Sequence, residues 1–172
     1  AAQLSGGMKQ KLALSCTLIH TPQVLLLDEP TTGVDPVSRR EFWEILHDLK
    51  RDGVTLLVTT PYMDEAAKCD RIAFIHQGKI LLEDAPANIP RLLRQNIAEV
   101  VAEQPFAAVQ ALRRAGFSFA QLFGDRLHVS SDLPPQRLFT AVRQTLAESG
   151  ITLISIRGIQ PSIEDVFVEL LQ

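Results

Sequence analysis

The sequence predicts an α/β fold followed by a smaller α+β unit. Two observations carry the first part. The apolar run Val24 to Leu27 breaks directly into Asp28-Glu29-Pro30, and a stretch of helical periodicity separates it from a second apolar run, Val54 to Thr59. The second part rests on a change of pattern beyond a boundary near Pro86 to Pro90.

Met8, Leu12, Cys16 and Ile19 recur at spacings of four and three, which predicts a helix over about 6 to 20, stopped by Thr21-Pro22. Val24 to Leu27 is apolar on both faces, as expected of a strand in the middle of a parallel sheet, covered above and below. Asp35 is placed as N-cap and Pro36 at the first helical position of the next helix. Its expected core face is Phe42, Ile45, Leu46 and Leu49, and Gly53 ends it. A second strand over 54–59 and a short helix around Met63 to Lys68 follow, and then Ile72–Ile75 and Lys79–Leu82 flank a hairpin turn at His76-Gln77-Gly78. Strand, helix, strand with an added hairpin is an α/β arrangement.

Past the boundary, Ile97–Ala102 reads as a strand and Phe106–Ala115 as a helix through Phe106, Val109 and Leu112. Phe117–Leu122 and Leu127–Ser130 bracket the turn signal Gly124-Asp125. Pro134–Ser149 is helical through Leu138, Val142 and Leu146, Ile151–Ile156 is a last strand, and Ser162 with Asp165 forms a capping box for a terminal helix. The order β-α-β-β-α-β is the ferredoxin-like arrangement. The expected division is therefore 1–84 and 85–172.

Composition narrows the function. At 172 residues the chain is long enough for one ordinary domain or two small ones, and 46% hydrophobic with 22% charged residues is a globular balance. Seventeen Lys and Arg against twenty Asp and Glu give a net charge of −3, which argues against general nucleic-acid or anionic-membrane binding. No apolar run approaches the roughly 20 residues of a spanning helix, and no charged-then-apolar leader is visible. Cys16 and Cys69 fit no metal spacing and read as reduced thiols.

Two short segments carry chemistry. Leu4-Ser5-Gly6-Gly7-Met8-Lys9-Gln10 opens a helix with a Ser and two Gly, where free amides and the helix dipole favour a phosphate. For Ser-Gly-Gly alone, a plain Ser N-cap with a flexible approach is the better explanation. The apolar strand ending in Asp28-Glu29 delivers two carboxylates to a strand's C-terminal edge, where open α/β sheets bind ligands. One carboxylate there can hold Mg²⁺ and the next can polarise an attacking water. Solvated acids leading into a proline turn are the bland alternative.

Taken together, Leu4-Ser5-Gly6-Gly7-Met8-Lys9-Gln10 and Leu25-Leu26-Leu27-Asp28-Glu29-Pro30-Thr31-Thr32-Gly33-Val34-Asp35-Pro36 resemble, in order and spacing, the signature, Walker B and D-loop motifs of ABC-type ATPases. Met63-Asp64-Glu65-Ala66 after a Thr-Thr strand end, and the ending Pro161-Ser162-Ile163-Glu164-Asp165-Val166-Phe167, resemble the ABC-2 drug-resistance exporter branch with its C-terminal domain. The resemblance covers nearly the whole chain. It implies an incomplete P-loop NTPase cassette, with signature, Walker B, D-loop and switch region in 1–84, followed by the ferredoxin-like domain. It also implies that ATP and Mg²⁺ are the cofactors, with Asp28 coordinating Mg²⁺ and Glu29 as the catalytic carboxylate. Ser5, Gly6, Gly7 and Gln10 would contact the γ-phosphate of ATP held by a partner cassette, and Asp35 would reach across the dimer, although N-capping alone also explains Asp before Pro. The implied partners are a second cassette, separate or fused, and an integral membrane permease, with no nucleic acid. The implied location is cytoplasmic, on the inner face of the membrane through that permease.

The sequence departs from the family pattern in two places. No Gly-x-x-x-x-Gly-Lys-Ser/Thr loop is present, although that loop cradles the β- and γ-phosphates. The chain opens Ala1-Ala2-Gln3 without an initiator Met, so a truncated chain is expected, with the phosphate loop and Gln loop upstream and the 172 residues inactive alone. Pro61 stands where the family has a switch His, which implies a degenerate composite site, since proline offers neither side-chain donor nor N–H. His76 and His128 are poor replacements. Arg39-Arg40, Lys50-Arg51 and Arg113-Arg114 read as solvated faces, and Phe106, Phe117, Phe119, Phe123 and Phe139 as core. The rivals are a soluble non-transport ABC ATPase and a non-catalytic regulatory or dimerisation module. Residues 1–84 are expected to be less stable alone than 91–172.

Overall fold

The computed structural model describes residues 4–171, so the Ala1-Ala2-Gln3 start lies outside the described residues. The chain divides into two compact units, one ending at Ala66 and the other beginning at Ala67.

The first unit runs α1 (Gly6–Leu18), β1 (Val24–Asp28), α2 (Pro36–Arg51), β2 (Thr55–Thr59) and α3 (Met63–Ala66). β1 and β2 pair in parallel, from Val24 opposite Thr55 to Asp28 opposite Thr59. The expectation of a β1 covered on both faces is corrected. Leu25 is buried and Leu27 half-buried, while Val24 and Leu26 on the other face are 55% and 70% exposed. On β2, Leu57 is likewise 63% exposed. Among the described residues this sheet has two strands. Alternation along each strand then buries one face and leaves the other, which also carries Asp28 and Thr59, open.

α1 forms where the periodicity places it, but its apolar stripe is not the buried one. Met8, Leu12 and Ile19 are 53%, 51% and 73% exposed, and the buried residues are Gly7 and Leu14. The cause is the close approach of α1 to α2 at Gly7. A Cβ there would stand 2.5 Å from the Ser38 hydroxyl oxygen and closer still to the Ser38 Cβ. An ion pair between Lys11 and Glu41 joins the same two helices. α2 buries Phe42, Trp43 and Leu46, while Ile45 and Leu49 are half-buried. Trp43, rather than Ile45 or Leu49, is the third buried residue of α2.

The second unit begins with the antiparallel hairpin β3 (Ile72–His76) and β4 (Lys79–Asp84). Its turn has positive φ at Gln77 (49°) and Gly78 (74°), the pairing a two-residue hairpin turn requires. A 3₁₀ turn (Ile89–Leu92) leads into β5 (Asn96–Ala102), α4 (Pro105–Arg114), β6 (Ala120–Phe123), β7 (Arg126–Ser131), α5 (Pro135–Glu148) and β8 (Leu153–Ile159). The four strands lie in the order β6-β7-β5-β8, every neighbouring pair antiparallel. Ala98, Val100, Leu127 and Val129 on one face meet Leu112, Leu138, Val142 and Leu146 from the two helices in one core. Phe106 is 76% exposed, which corrects its assignment to the core, because Ala108, Val109, Ala111 and Leu112 form the buried face of α4. Glu99 on the central strand is held by Arg157 at 2.7 Å and Arg126 at 2.9 Å, and these guanidinium groups keep its carboxyl below the usual carboxylate range.

The terminal helix α6 (Ile163–Leu170) is fixed at its start. Ser162 accepts from the Asp165 amide, and the Asp165 carboxylate accepts from the Ser162 amide, completing the capping box. Asp165 also meets His128 of β7 at 2.7 Å, which gives that histidine a structural role. Phe167 packs edge-on to Phe74 of the hairpin, 5.0 Å between ring centres.

Candidate functional site

The C-terminal ends of β1 and β2 bring the two carboxylates together with a set of threonine hydroxyls. Asp28 and Thr59 are direct partners across the parallel pair, so their side chains share one face, and the Thr59 hydroxyl donates to the Asp28 carboxylate. Glu29 follows with φ of +42°, a left-handed conformation that is uncommon outside glycine. Its amide donates to the Thr59 carbonyl and lies 3.0 Å from the Thr59 hydroxyl as well. On its other side, the Thr32 hydroxyl donates to Glu29 Oε2 at 3.0 Å. The backbone turn and the carboxylate of Glu29 are thus each held by a threonine.

Asp28 and Glu29 are both exposed, as carboxylates must be to reach a hydrated cation or a water beside a ligand. Among the described residues no group of three or more acidic, His or Cys side chains can hold a metal. That donor set fits Mg²⁺, which is ordinarily bound by one or two carboxylates with water and substrate phosphate completing the octahedron. It does not fit a cation caged by protein alone.

Beneath this edge lies a group that single positions in the sequence did not reveal. Glu65, on the short α3, is fully buried and accepts from Thr31 Oγ1 at 2.7 Å and Thr60 Oγ1 at 2.6 Å. Arg39 Nε stands 3.5 Å from Glu65, and its guanidinium lies 4.0 Å over the Tyr62 ring. Arg39 is therefore half-buried and paired, which corrects its reading as part of a solvated face. Nothing in Arg39-Arg40 or Met63-Asp64-Glu65-Ala66 alone points to this. The signal is the recurrence of Thr at 31, 32, 59 and 60, polar residues clustered at or just past two strand ends.

The remaining sequence-selected residues lie on other segments. Ser5 caps α1, its hydroxyl oxygen accepting from the Met8 amide at 3.2 Å. Gly6 approaches the Gly33 carbonyl so closely that a Cβ would come within 3.3 Å of it. The Ser5-Gly6-Gly7 turn thus packs against the segment that precedes α2. Gln10 is half-buried on α1. Asp35 caps α2, one oxygen accepting from the Val37 and Ser38 amides at 3.1 and 2.9 Å, and the Ser38 bonds lower its pKa. Pro61 is exposed, between Thr60 and Tyr62 in the loop after β2.

A family model described as "AAA domain, putative AbiEii toxin, Type IV TA system" matches residues 1–61. Relatives span nearly the whole chain. The "Probable multidrug ABC transporter ATP-binding protein YbhF" of Escherichia coli (strain K12) is 35% identical over 99% of the chain and 29% of that protein. The "Daunorubicin resistance ATP-binding protein DrrA2" of Streptomyces coeruleorubidus is 39% identical over 96% of the chain and 53% of that protein. The "Nod factor export ATP-binding protein I" of Sinorhizobium fredii (strain NBRC 101917 / NGR234) is 38% identical over 98% of the chain and 48% of that protein. The chain thus spans about half, or less, of the length of these relatives.

Proposed function

The chain belongs to the ABC transporter ATP-binding proteins, and on that premise we propose that it is part of the ATP-hydrolysing subunit of a membrane exporter. The observation that carries the proposal is the adjacent pair Asp28-Glu29 at the open end of β1, with Glu29 held in a left-handed turn. ATP-driven closure of two cassettes moves a permease partner on the membrane, and hydrolysis resets it. The nucleotide-facing residues of this chain divide in two: the carboxylates serve one nucleotide, and the signature turn serves the nucleotide of the partner cassette.

Asp28 would hold Mg²⁺, directly or through water, and the ion would supply charge neutralisation to the transferring phosphate. Glu29 accepts a hydrogen bond from the attacking water, orients it in line with the bond to the leaving ADP and takes its proton as that bond breaks. Ser5, Gly6, Gly7 and Gln10 present the first turn of α1 to the partner's γ-phosphate, where free amides and the helix dipole favour the anion. Asp35 faces the partner from the α2 cap. Pro61 leaves the switch position without a donor, so this site turns over slowly. We read the four-stranded antiparallel unit as a ferredoxin-like domain, a reading that its strand order and two packed helices support. Residues 1–84 belong to the cassette and 85–172 to this domain. Among the described residues no helix is long and apolar enough to cross a membrane.

The test is phosphate release by the intact gene product with MgATP. Release that depends on Mg²⁺ and falls at least about 100-fold in Asp28→Asn is the expected result, the range for losing one transition-state stabiliser. Absence of MgATP-dependent release overturns the proposal.

A further inference from the structure

We infer that Glu65 is a positioning residue for Glu29, an inference that rests on the hydrolytic reading above. The geometry points to one buried carboxylate setting the separation of two loops. Thr31, 1% exposed, lies two residues after Glu29, and Thr60 lies one residue after Thr59. Glu65 accepts from both hydroxyls, one on each oxygen, at 2.7 and 2.6 Å. It thereby ties the chain leaving β1 to the chain leaving β2, below the edge where Asp28 and Glu29 stand. Above it, Thr59 ties the same two strands through Asp28 and the Glu29 amide.

The left-handed backbone of Glu29 explains what the tie does. A non-glycine residue at φ of +42° costs conformational energy and persists only when its surroundings over-determine it. Thr59 holds Glu29 from the N–H side, and the Thr31–Glu65 bond holds the turn that follows. A buried carboxylate is a costly way to pack a short helix, since an apolar side chain would fill the same volume without desolvating a charge. Both of its oxygens are directed at loop hydroxyls, and Arg39, 3.5 Å away, supplies the countercharge. Arg39 also lies over Tyr62, whose amide donates to Thr60 Oγ1 at 3.1 Å. The residues on both sides of Pro61 are therefore held by the same network. With no donor at Pro61, alignment of the attacking water falls to Glu29, and to whatever fixes it.

The experiment measures kcat, KM and equilibrium ATP binding for Glu65→Gln, Thr31→Val and Thr60→Val in the intact gene product, each checked to be folded at the assay temperature. Glu65→Gln keeps the shape but cannot accept from both hydroxyls with its amide. The expected result is a kcat about 10-fold lower for each variant with KM and ATP binding unchanged, as small misplacement of a reacting group slows chemistry without weakening binding. Adding Thr60→Val to Glu65→Gln is expected to lower kcat no further, because both remove one interaction. An unchanged kcat in Glu65→Gln overturns the inference. So does a loss of kcat that Thr31→Val and Thr60→Val do not share, or one matched by lost ATP binding. If Glu65→Gln fails to fold, the two threonine variants decide by the same criteria. Glu29→Gln is the control: if it leaves kcat intact the hydrolytic reading falls and takes this inference with it, whereas if it abolishes turnover and Glu65→Gln does not, only this inference falls.

Discussion

At Gly7 two opposing effects decide what an added methyl group does. Alanine is favoured over glycine in a helix by about 1 kcal/mol. A Cβ at Gly7, however, would overlap the Ser38 side chain, 2.5 Å from its oxygen, and overpacking of that kind costs about 1–3 kcal/mol. The clash wins, so Gly7→Ala is expected to lower the melting temperature, and Ser38→Gly in that background to restore part of the loss. A Gly7→Ala chain as stable as wild type would show that α1 and α2 do not meet there. The second glycine of the signature turn thus has a packing reason of its own, in addition to the close ligand approach that its sequence context suggested. That reason was not legible, because the partner, Ser38, lies thirty-one residues away in the sequence.

Asp165 gives a pH dependence whose sign follows from its surroundings. Burial pushes its carboxyl up, and the bonds from His128 and the Ser162 amide outweigh that, so its pKa lies below the ordinary 3.8. A lowered pKa in the folded state contributes stability above the unfolded value and loses it as pH falls through the folded one. Asp165→Asn is therefore expected to reduce the stability of the second unit at neutral pH, by about 2 kcal/mol as for a hydrogen bond to a charged group. The gap between the two proteins should close as pH falls below 3.8. Urea unfolding at pH 7 and pH 3 checks this, and a gap unchanged at pH 3 contradicts it.

Among the elements, the contrast lies between a two-stranded parallel pair with one open apolar face and a four-stranded sheet with one face packed on α4 and α5. Isolated two-stranded sheets are marginal, whereas three or more strands with a packed face are not. Hydrogen exchange on this 172-residue chain is expected to show faster exchange for the amides of β1 and β2 than for those of β5 and β7. Equal or greater protection in β1 would refute that. Element types and order were readable because Gly53, Gly116 and Gly150 close helices and apolar runs have strand length. Faces were less readable. The Met8–Leu12–Cys16–Ile19 stripe has the period of a buried face, yet Gly7 decides which side of α1 meets α2. Phe106 misled in the same way, since the small Ala108 and Ala111 let α4 approach the sheet and the larger ring is left outside.

For the whole molecule, the candidate site was legible where it is contiguous and hidden where it is not. Asp28 and Glu29 stand beside each other in the sequence, so a strand ending in two acids sufficed. Glu65, Thr31, Thr60 and Arg39 come from four segments and meet only in the folded chain. On the proposed reading, the missing donor at position 61 has a consequence for turnover. Pro61→His is expected to raise ATP turnover at least about 10-fold, the reverse of deleting one transition-state donor. If turnover does not rise, the proline is not what limits the site.

The most direct measurement is the turnover of Glu29→Gln in the intact gene product with MgATP, read beside equilibrium ATP binding. Glutamine preserves the shape of the side chain and removes its ability to take a proton. Phosphate release is expected to fall about 100-fold or more while ATP binding is retained, the range for losing a general base. Phosphate release at the wild-type rate would contradict it.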